Sequence, residues 1–585
     1  MSHLSELENR LSIRPIGDLY DSTISTENVY YIKFPYYSSL EDIPNIDTII
    51  RDLNSFIERV NDNATIAILS SPVFIANFLS QLTNKAFFRL WIGVKLKNPY
   101  SITKKQLPQH HAALAVITRY KDALRHAKTR IAYTFCPFCE KTTKDYGGKK
   151  HLYHEYGTIM SDVWRDIAID YKNDELIVNR LCDIFGISPY KTLNYIDLTK
   201  KYLSLDYNSA VNTNTYINKV EFFSYKGNTT STIINDDCLK VLKELPSNSV
   251  DFCFADPPYN VDKKYDCCDD DVDIIEYFDW CDKWLSELAR IIKPGKTVAV
   301  LNIPQWAIRH FKCLNKLLKF QDWIIWEGLS VPVRMIMPAH YSVICFTKEQ
   351  ANDLPFYNLE HSLLEIKSIN TYKEFYCIRN SCIKKRKKEN IEDKTQVTNL
   401  WWDIHRLKHN SQRVDHPTQL PPVFMERLIS IFTKEGDLVL DPFNGSGTTS
   451  LCAEMLGRKY FGIELSPKYY DIAIQRHQEL QMGINPFGKR IETPEAKNSA
   501  VRRLKKQKYE VDKKTLQLEV KRISQLINST PTRDDVIAYS QYPIKYYDDY
   551  FINWGEVTAA VRTTGMQNVE NKKDYDLKVK KQNDK

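Results

Sequence analysis

The segment from Glu435 to Ala473 constrains the fold more than any other part of the chain. Its apolar run 438–440 predicts a buried strand, DPFNGSGTT predicts a glycine-rich turn, and TSLCAEMLG opens a helix. A second apolar run, KYFGIEL, ends in Glu464. An acid about 20 residues after such a turn, at the tip of the next strand, suits the hydroxyls of a ribose. The series predicts a Rossmann-like α/β unit with a nucleoside pocket.

A rigid tip follows another predicted strand, in VDFCFADPPYN. Val250, Phe252 and Phe254 form a β-prone run that the two prolines of 256–259 must end. Proline fixes φ, so the acid before the prolines and the aromatic ring after them project at a preset geometry. The alternative is a plain strand-terminating turn.

Bulk properties limit the function classes. The chain has 585 residues, which favours three or four domains. The net charge of +8 permits a nucleic-acid partner without demanding one. The polar start and the lack of a long apolar run predict neither a signal peptide nor a membrane helix. The 13 cysteines, mostly scattered, favour reduced thiols and a cytoplasmic protein.

The region from Ser231 to Gln478 resembles the β-class amino-group DNA methyltransferases, which use S-adenosylmethionine. The order matches: the Asp-Pro-Pro-Tyr half, then target recognition, then the glycine-loop half. The segments WLSELARIIKPGKTVAVL and NLWWDIHRLKHNSQRVDHPTQLPPVFMERLI are also similar. The resemblance implies an α/β fold with a mixed seven-stranded sheet and a site-specific enzyme of a restriction-modification system.

The resemblance also implies residue roles. Asp256 and the carbonyl of Pro257 would accept the amino hydrogens of a base flipped out of the duplex, and Tyr259, after Pro258, would stack on it. An acid in the first position usually accompanies adenine N6, so adenine is predicted over cytosine N4. An RNA adenine target and a non-catalytic DNA-binding subunit are further alternatives. The implied cofactor-binding residues are Asp237, His416, Pro417, Thr418, Asp441, Phe443, Gly445, Gly447 and Glu464.

The first 225 residues repeat the pattern of the methyltransferase region. FRLWIGVKL (88–96) aligns with FQDWIIWEG (320–328), SDVWRDIAID (161–170) with TNLWWDIHRL (398–407), and VNRLCDIFG (178–186) with MERLISIFT (425–433). KFPYYS replaces ADPPYN, so a lysine stands near the place of the acid, and no glycine loop follows. We interpret 1–225 as a degenerate copy of the methyltransferase scaffold. Convergent α/β patterning is the alternative.

An insert in this copy, CPFCEKTTKDYGGKKHLYH, predicts a structural zinc site. The predicted ligands are Cys136, Cys139, His151 and His154, and the alternative is a loop without metal. Cys377 and Cys382 lack nearby histidines, so no metal is predicted there.

The remaining divisions follow composition. We expect a catalytic domain at 226–485, with a target-recognition insert at about 351–398 that carries the basic run 384–388. Residues 486–570 are expected to form a basic helical DNA-binding module, since YFINWGEVTAAVRTTG (550–565) resembles the small helical modules found beside nucleases; a packing appendage is the alternative. Residues 571–585 form a predicted disordered tail. The expected partners are double-stranded DNA and a cognate restriction endonuclease, with no membrane. The duplication suggests a monomer that acts as an internal pseudo-dimer.

Overall fold

The computed structural model describes most of both halves of the chain and a C-terminal helical segment. The described residues are 13–17, 19, 29–100, 107–120, 124, 129–133, 135–136, 138–142, 157–171, 173–187, 192–202, 231–260, 272–328, 336–349, 357–358, 371–372, 380–390, 394–395, 397–407, 414, 419–488, 509–551 and 553–561. The predicted disordered tail and most of the predicted recognition insert lie outside them.

A mixed sheet of seven strands forms the first half. Its spatial order is β1-β11-β2-β3-β5-β4-β10. In chain order the strands and helices of this half are β1 Ile13–Ile16, β2 Val29–Lys33, α1 Ile46–Arg59, β3 Thr65–Ser70, α2 Pro72–Ser80, β4 Phe87–Tyr100, β5 Gln109–Thr118, β6 Arg130–Ile131, β7 Phe135–Cys136, β8 Lys141–Thr142, β9 Thr158–Ile159, β10 Val163–Ile169, α3 Glu175–Phe185 and β11 Leu193–Asp197.

A mixed sheet of eight strands forms the second half, in the order β12-β21-β20-β13-β14-β16-β15-β19. Its elements are β12 Thr232–Asn235, α4 Cys238–Glu244, β13 Val250–Ala255, α5 Ile274–Ile291, β14 Ile292–Asn302, α6 Pro304–Leu314, β15 Lys319–Trp326, β16 Tyr341–Thr347, β17 Thr371–Tyr372, α7 Asn380–Lys388, β18 Lys394–Thr395, β19 Leu400–Trp401, α8 Pro422–Phe432, β20 Leu438–Asp441, α9 Thr448–Met455, β21 Lys459–Glu464 and α10 Pro467–Gln481. The α/β prediction is confirmed, with eight strands instead of seven because the short β19 pairs with the edge of β15.

The two sheets share one strand order and one set of strand directions. When β21 is left out, each strand of the second sheet has a counterpart at the same place in the first sheet. In each sheet one strand, β5 or β16, runs antiparallel to both of its neighbours. α2, α6, α8 and α10 each begin with a proline, whose missing N–H has no intrahelical partner to lose. Among the residues that the structure describes, the first sheet has no counterpart of β21, the strand that carries the predicted ribose acid Glu464.

A Trp-Asp-Arg cluster occurs once in each half at aligned positions. In each, the arginine forms a two-pronged ion pair with the aspartate, and its guanidinium lies 5.1 Å from the centroid of the tryptophan ring. The indole N–H donates to the carbonyl three residues earlier in both cases. The members are Trp164, Asp166 and Arg180 in the first half, and Trp401, Asp403 and Arg427 in the second.

The interface between the halves is built around two aligned tryptophans. Trp91 on β4 and Trp323 on β15 stack with ring centroids 4.2 Å apart and planes 8° from parallel. Both side chains are buried. Equivalent residues that touch each other lie on the axis of a twofold arrangement, so this stack marks a pseudo-twofold axis.

Polar contacts around that axis are reciprocal. Asp162 Oδ1 of the first half lies 3.0 Å from His340 Nδ1 of the second. Asn399, aligned with Asp162, places its Oδ1 3.1 Å from Nδ1 of His111. His111 and His340 are aligned when QHHAALAVITRYK (109–121) is set beside PAHYSVICFTKEQ (338–350). Each of these oxygens also accepts the backbone N–H of the residue before that histidine, at 2.8 Å. The halves therefore meet through one self-complementary patch, as two subunits of a C2 dimer do.

The C-terminal segment forms a small helical unit with its own apolar cluster. Its helices are α11 Lys513–Ile527, α12 Arg533–Tyr539, α13 Ile544–Tyr550 and α14 Trp554–Val557. Thr532 and Asp535 form a reciprocal capping box at the start of α12. The unit contacts the first half through Arg130, which donates to the carbonyl of Ala559 at 3.3 Å.

Within the described ranges, no helix is both long enough and apolar enough to cross a bilayer.

Truncating either central tryptophan should destabilise the whole chain. We expect Trp91→Ala and Trp323→Ala each to lower the free energy of unfolding by about 3–5 kcal/mol, the cost of a buried Trp-to-Ala change. Because the two rings contact each other, the double variant should lose less than the sum of the two single losses.

Trp164→Ala is the matched control, since it removes another buried tryptophan that packs in a different apolar cluster. Its loss should add to that of Trp323→Ala. Denaturant titration of the five variants measures both comparisons, and strict additivity for the Trp91/Trp323 pair would contradict the assigned interface.

Candidate active site

Four predicted site acids lie at one edge of the second sheet. β12, β21, β20 and β13 are parallel neighbours, so their carboxyl ends meet there. Asp441 and Glu464 are the last residues of β20 and β21, Asp256 follows β13, and Asp237 comes two residues after β12. In open α/β sheets this edge is where ligands bind.

The Asp-Pro-Pro-Tyr tip is held by hydrogen bonds from neighbouring aromatic side chains. Tyr259 donates its hydroxyl to Asp256 Oδ1 at 2.8 Å. Tyr277 donates to the carbonyl of Pro258 at 2.7 Å, and Trp306 Nε1 donates to the carbonyl of Tyr259 at 2.8 Å. The two donors come from α5 and α6, so helices on the sheet fix the tip in place. The tip is preorganised, with the Asp256 side chain only half-buried.

The glycine loop has the backbone that its sequence predicts. Gly445 and Gly447 have φ values of 51° and 84°, in the left-handed region that favours glycine. Glu464 ties the loop to β21, because its Oε2 accepts the N–H of Gly445 at 2.7 Å and its Oε1 accepts that of Ser466 at 2.8 Å. Asp441 Oδ1 accepts the N–H of Phe443 at 2.8 Å.

The electrostatics of this edge favour a cationic ligand. Burial raises the pKa of Asp441 to about 7, and the nearby charges of Asp256 and Glu464 add to the rise. Burial also raises the pKa of Glu464. A positive charge near these carboxyl groups would favour their ionised forms. Asp237 is exposed and caps α4 by accepting the N–H of Lys240 at 3.1 Å.

A buried side-chain amide beside the loop also fits a polar ligand. Asn444 is 4% exposed, and neither its Oδ1 nor its Nδ2 has a hydrogen-bond partner among the described residues. Buried amides without partners are rare because desolvation is costly. The loop therefore offers a donor and an acceptor beside glycines that allow close approach.

Several aromatic residues of the site were missed by sequence reasoning. The ring of Phe443 lies 5.6 Å from Trp280 and 5.3 Å from Trp284, both on α5. Tyr341, the first residue of β16, lies 6.1 Å from the ring of Tyr259, and Arg406 lies over it at 5.7 Å. The available signal for Tyr341 was its place at the start of the strand-forming run YSVICFT.

Other predicted residues lie outside the described part of the chain. They are His416, Pro417 and Thr418 at the cofactor site, and His151 and His154 at the zinc site. The remaining predicted zinc ligands, Cys136 and Cys139, lie close together in the first half.

The corresponding place in the first half is filled by its own side chains. Strand register puts Lys33 at the position of Asp256. Its Nζ is buried 3.5 Å from Asp174 Oδ1 and 5.6 Å from the ring of Tyr171. The Tyr171 hydroxyl donates at 2.7 Å to the carbonyl of Phe34, the counterpart of Pro257. An ammonium cannot accept hydrogen bonds and this carbonyl already accepts one, so neither group matches the two acceptors of the Asp-Pro-Pro-Tyr tip.

Sequence comparison agrees with the geometry of the second half. The family described as DNA methylase matches residues 250–475. The type II methyltransferase M.BamHI of Bacillus amyloliquefaciens is 36% identical over 243 residues, which are 40% of this chain and 54% of that protein. The DNA adenine methyltransferase YhdJ of Escherichia coli strain K12 is 30% identical over 255 residues, which are 43% of this chain and 83% of that protein.

The chain belongs to the DNA methylase family. The solved structure of the PvuII DNA methyltransferase, which is cytosine-N4-specific, matches with a TM-score of 0.31 and 20% identity over 42% of this chain and 86% of that one. The methyl donor of this family is S-adenosylmethionine. A sulfonium cation with a ribose fits the carboxyl groups of Asp256, Asp441 and Glu464 and the glycine loop described above.

Gly447 should be needed for cofactor binding as well as for stability. A Cβ there would lie 3.0 Å from that of Ala473, at a φ of 84°. Gly436 is a matched control, with a φ of 83° and nothing within 4 Å of an added Cβ. Each alanine variant should lose about 1–2 kcal/mol of stability from left-handed strain.

Only Gly447→Ala should weaken S-adenosylmethionine binding, because only Gly447 lies in the glycine loop. The expected loss is about tenfold or more, which corresponds to about 1.4 kcal/mol of binding free energy. Isothermal titration calorimetry measures the difference. Equal affinity of the two variants for S-adenosylmethionine would contradict the assignment of the glycine loop to the cofactor site.

Proposed function

We propose that this chain is a site-specific DNA methyltransferase that transfers a methyl group from S-adenosylmethionine to N6 of adenine in double-stranded DNA. The preorganised Asp-Pro-Pro-Tyr tip at the same sheet edge as the glycine loop carries the proposal. The tip would be the target-base site, and Asp441, Phe443, Gly445, Gly447, Glu464 and Asp237 would form the cofactor site together with His416, Pro417 and Thr418.

The tip has the groups that an exocyclic amine requires. Its nitrogen lone pair is delocalised into the base, so acceptors on its two N–H bonds are needed to localise the lone pair toward the methyl group. Asp256 and the carbonyl of Pro257 would be those acceptors. The bound cofactor supplies a methyl group on a sulfonium, a good leaving group.

Atoms balance without a further reagent. Asp256 and the Pro257 carbonyl would hold the amine nitrogen toward the bound cofactor, which would supply the methyl group and keep the bonding electron pair on its sulfur. The nitrogen, now positive, loses a proton to the Asp256 carboxylate and from there to solvent. The Tyr259 hydroxyl orients that carboxylate at 2.8 Å, while its ring would stack on the flipped base.

The choice of adenine rests on the acid at the first position of the tip, and it agrees with the specificity of YhdJ. Cytosine N4 is the competing target. Mass spectrometry of nucleosides from DNA methylated by the purified protein separates them. N4-methylcytosine without N6-methyladenine would overturn the assignment.

Removing the tip carboxylate should abolish transfer but not cofactor binding. We expect Asp256→Ala to lower the methylation rate by at least about 100-fold, the usual scale for a positioned proton acceptor. Its dissociation constant for S-adenosylmethionine should stay within about twofold of wild type, because the lost contact is to the base.

Asp197→Ala is the control, since Asp197 ends a strand at the carboxyl edge of the first sheet and should not take part. Tritium transfer from labelled cofactor measures the rates. Full activity in Asp256→Ala would refute the mechanism, and a large rate loss in Asp197→Ala would contradict a degenerate first half.

We further propose that the chain acts as a monomeric pseudo-dimer. The reciprocal contacts of Asp162 and Asn399 and the Trp91–Trp323 stack support this, because each half covers the patch that an identical subunit would use. Only the second half has an acid tip and a glycine loop. A single active site on an asymmetric surface would read an asymmetric sequence and methylate one strand.

Light scattering should therefore give a mass near 68.5 kDa, that of one chain. Strand-resolved sequencing of DNA from cells that express the protein should show modification of one strand at each site. A stable homodimer, or a palindrome modified on both strands, would contradict the pseudo-dimer.

The biological setting follows by analogy. M.BamHI is a type II methyltransferase, which supports a cognate restriction endonuclease and a cytoplasmic location for this chain. The C-terminal helices would add DNA contacts.

A further inference from the structure

A third cysteine meets the two of the predicted zinc insert. Cys136 ends β7, Cys139 lies in the turn between β7 and β8, and Cys382 lies on α7 of the second half. Their sulfur atoms all lie within 4.8 Å of one another. Cys136 and Cys382 are 2% and 3% exposed, although 246 positions separate them in the chain.

The sulfur spacing fits a metal site and not a disulfide. The Sγ atoms of Cys136 and Cys382 are 3.9 Å apart. Tetrahedral zinc with Zn–S bonds of about 2.3 Å places its sulfurs about 3.8 Å apart. A disulfide would need about 2.05 Å between them.

The hairpin and the helix present the thiols to a common point. β7 and β8 pair antiparallel, with Cys136 opposite Lys141. Cys136 therefore stands at the base of the hairpin turn, and Cys139 lies within that turn. α7 packs on this hairpin, with Lys385 Nζ 4.9 Å from the centroid of the Phe138 ring. The cluster therefore joins two elements that are far apart in sequence.

The charges around the cluster suit a metal thiolate. Arg386 is fully buried, and its Nη1 lies 2.9 Å from Cys382 Sγ. Cysteine binds metal as the thiolate. A zinc ion with three thiolates has one net negative charge, which would balance the positive charge of the buried Arg386 guanidinium. Three neutral thiols have no charge to do so.

We propose that Cys136, Cys139 and Cys382 bind one structural zinc ion that fastens the first half to the recognition insert of the second. This adds Cys382 of the second half to the predicted ligands Cys136 and Cys139, so the site is shared between the halves. It also makes α7, with its run of basic side chains, a fixed surface beside the hairpin. The proposal does not rest on methyl transfer, because its readout is the metal.

The test is zinc content of the full chain purified without chelator. We expect about one zinc per wild-type chain and less than about a tenth in Cys382→Ala, because the variant loses one of the three cysteine ligands and the one that comes from the second half. Cys313→Ala is the matched control, since Cys313 is a half-buried cysteine on α6 outside the cluster, and it should keep its zinc. A chelator should lower the melting temperature of wild type and of Cys313→Ala.

X-ray absorption of the wild-type protein keeps the proposal testable if Cys382→Ala does not fold. It should show about three sulfur ligands near 2.3 Å. Protein without zinc, a Cys382→Ala variant that retains full zinc, or a site with only two sulfurs would each overturn the proposal. Retained methylation activity in a zinc-free protein would not rescue it.

Discussion

The contact between the two sheets governs the architecture of this chain. A pair of stacked indoles lies at its centre, and two aligned oxygens, one of Asp162 and one of Asn399, make the same bonds in opposite directions. Buried polar atoms must find partners, and here each half supplies the partners of the other. Neither sheet could leave this interface without exposing two large rings and several unsatisfied polar groups.

The same arrangement accounts for a first half that shares the strand order of the second although its corresponding edge carries different side chains. The edge that would hold an acid tip in the first sheet holds Lys33, neutralised by Asp174 and covered by Tyr171. These residues fill the space with internal contacts, and in the described part of the chain the first sheet has no counterpart of β21. The fold of the half depends on its apolar strands and on the interface, which do not involve that edge.

The active half shows the opposite balance. Burial disfavours the ionised carboxylate of Asp441 at this edge and raises its pKa. The Asn444 amide is buried without a hydrogen-bond partner among the described residues. Such costs are typical of sites prepared for a ligand. The scaffold bears them because α5 and α6 hold the tip from behind through Tyr277 and Trp306.

The sequence by itself determined the α/β class, the glycine loop, the position of the acid tip and the repeat of the scaffold, because each depends on periodicity or on residues close in the chain. Gly445 and Gly447, for example, predict a left-handed backbone, because glycine has no side chain to oppose a positive φ. The cysteine cluster shows the limit of such reasoning: Cys382 was set aside for want of neighbouring histidines, yet folding brings its sulfur to 3.9 Å from that of Cys136.

Only the tertiary structure could decide which aromatic residues support the tip, that Trp91 meets Trp323, and that the halves share one reciprocal interface. These contacts join residues hundreds of positions apart, and no local pattern records them. Their geometry arises when two sheets pack, because packing selects among many apolar surfaces the one pair whose shapes and hydrogen-bonding groups are complementary.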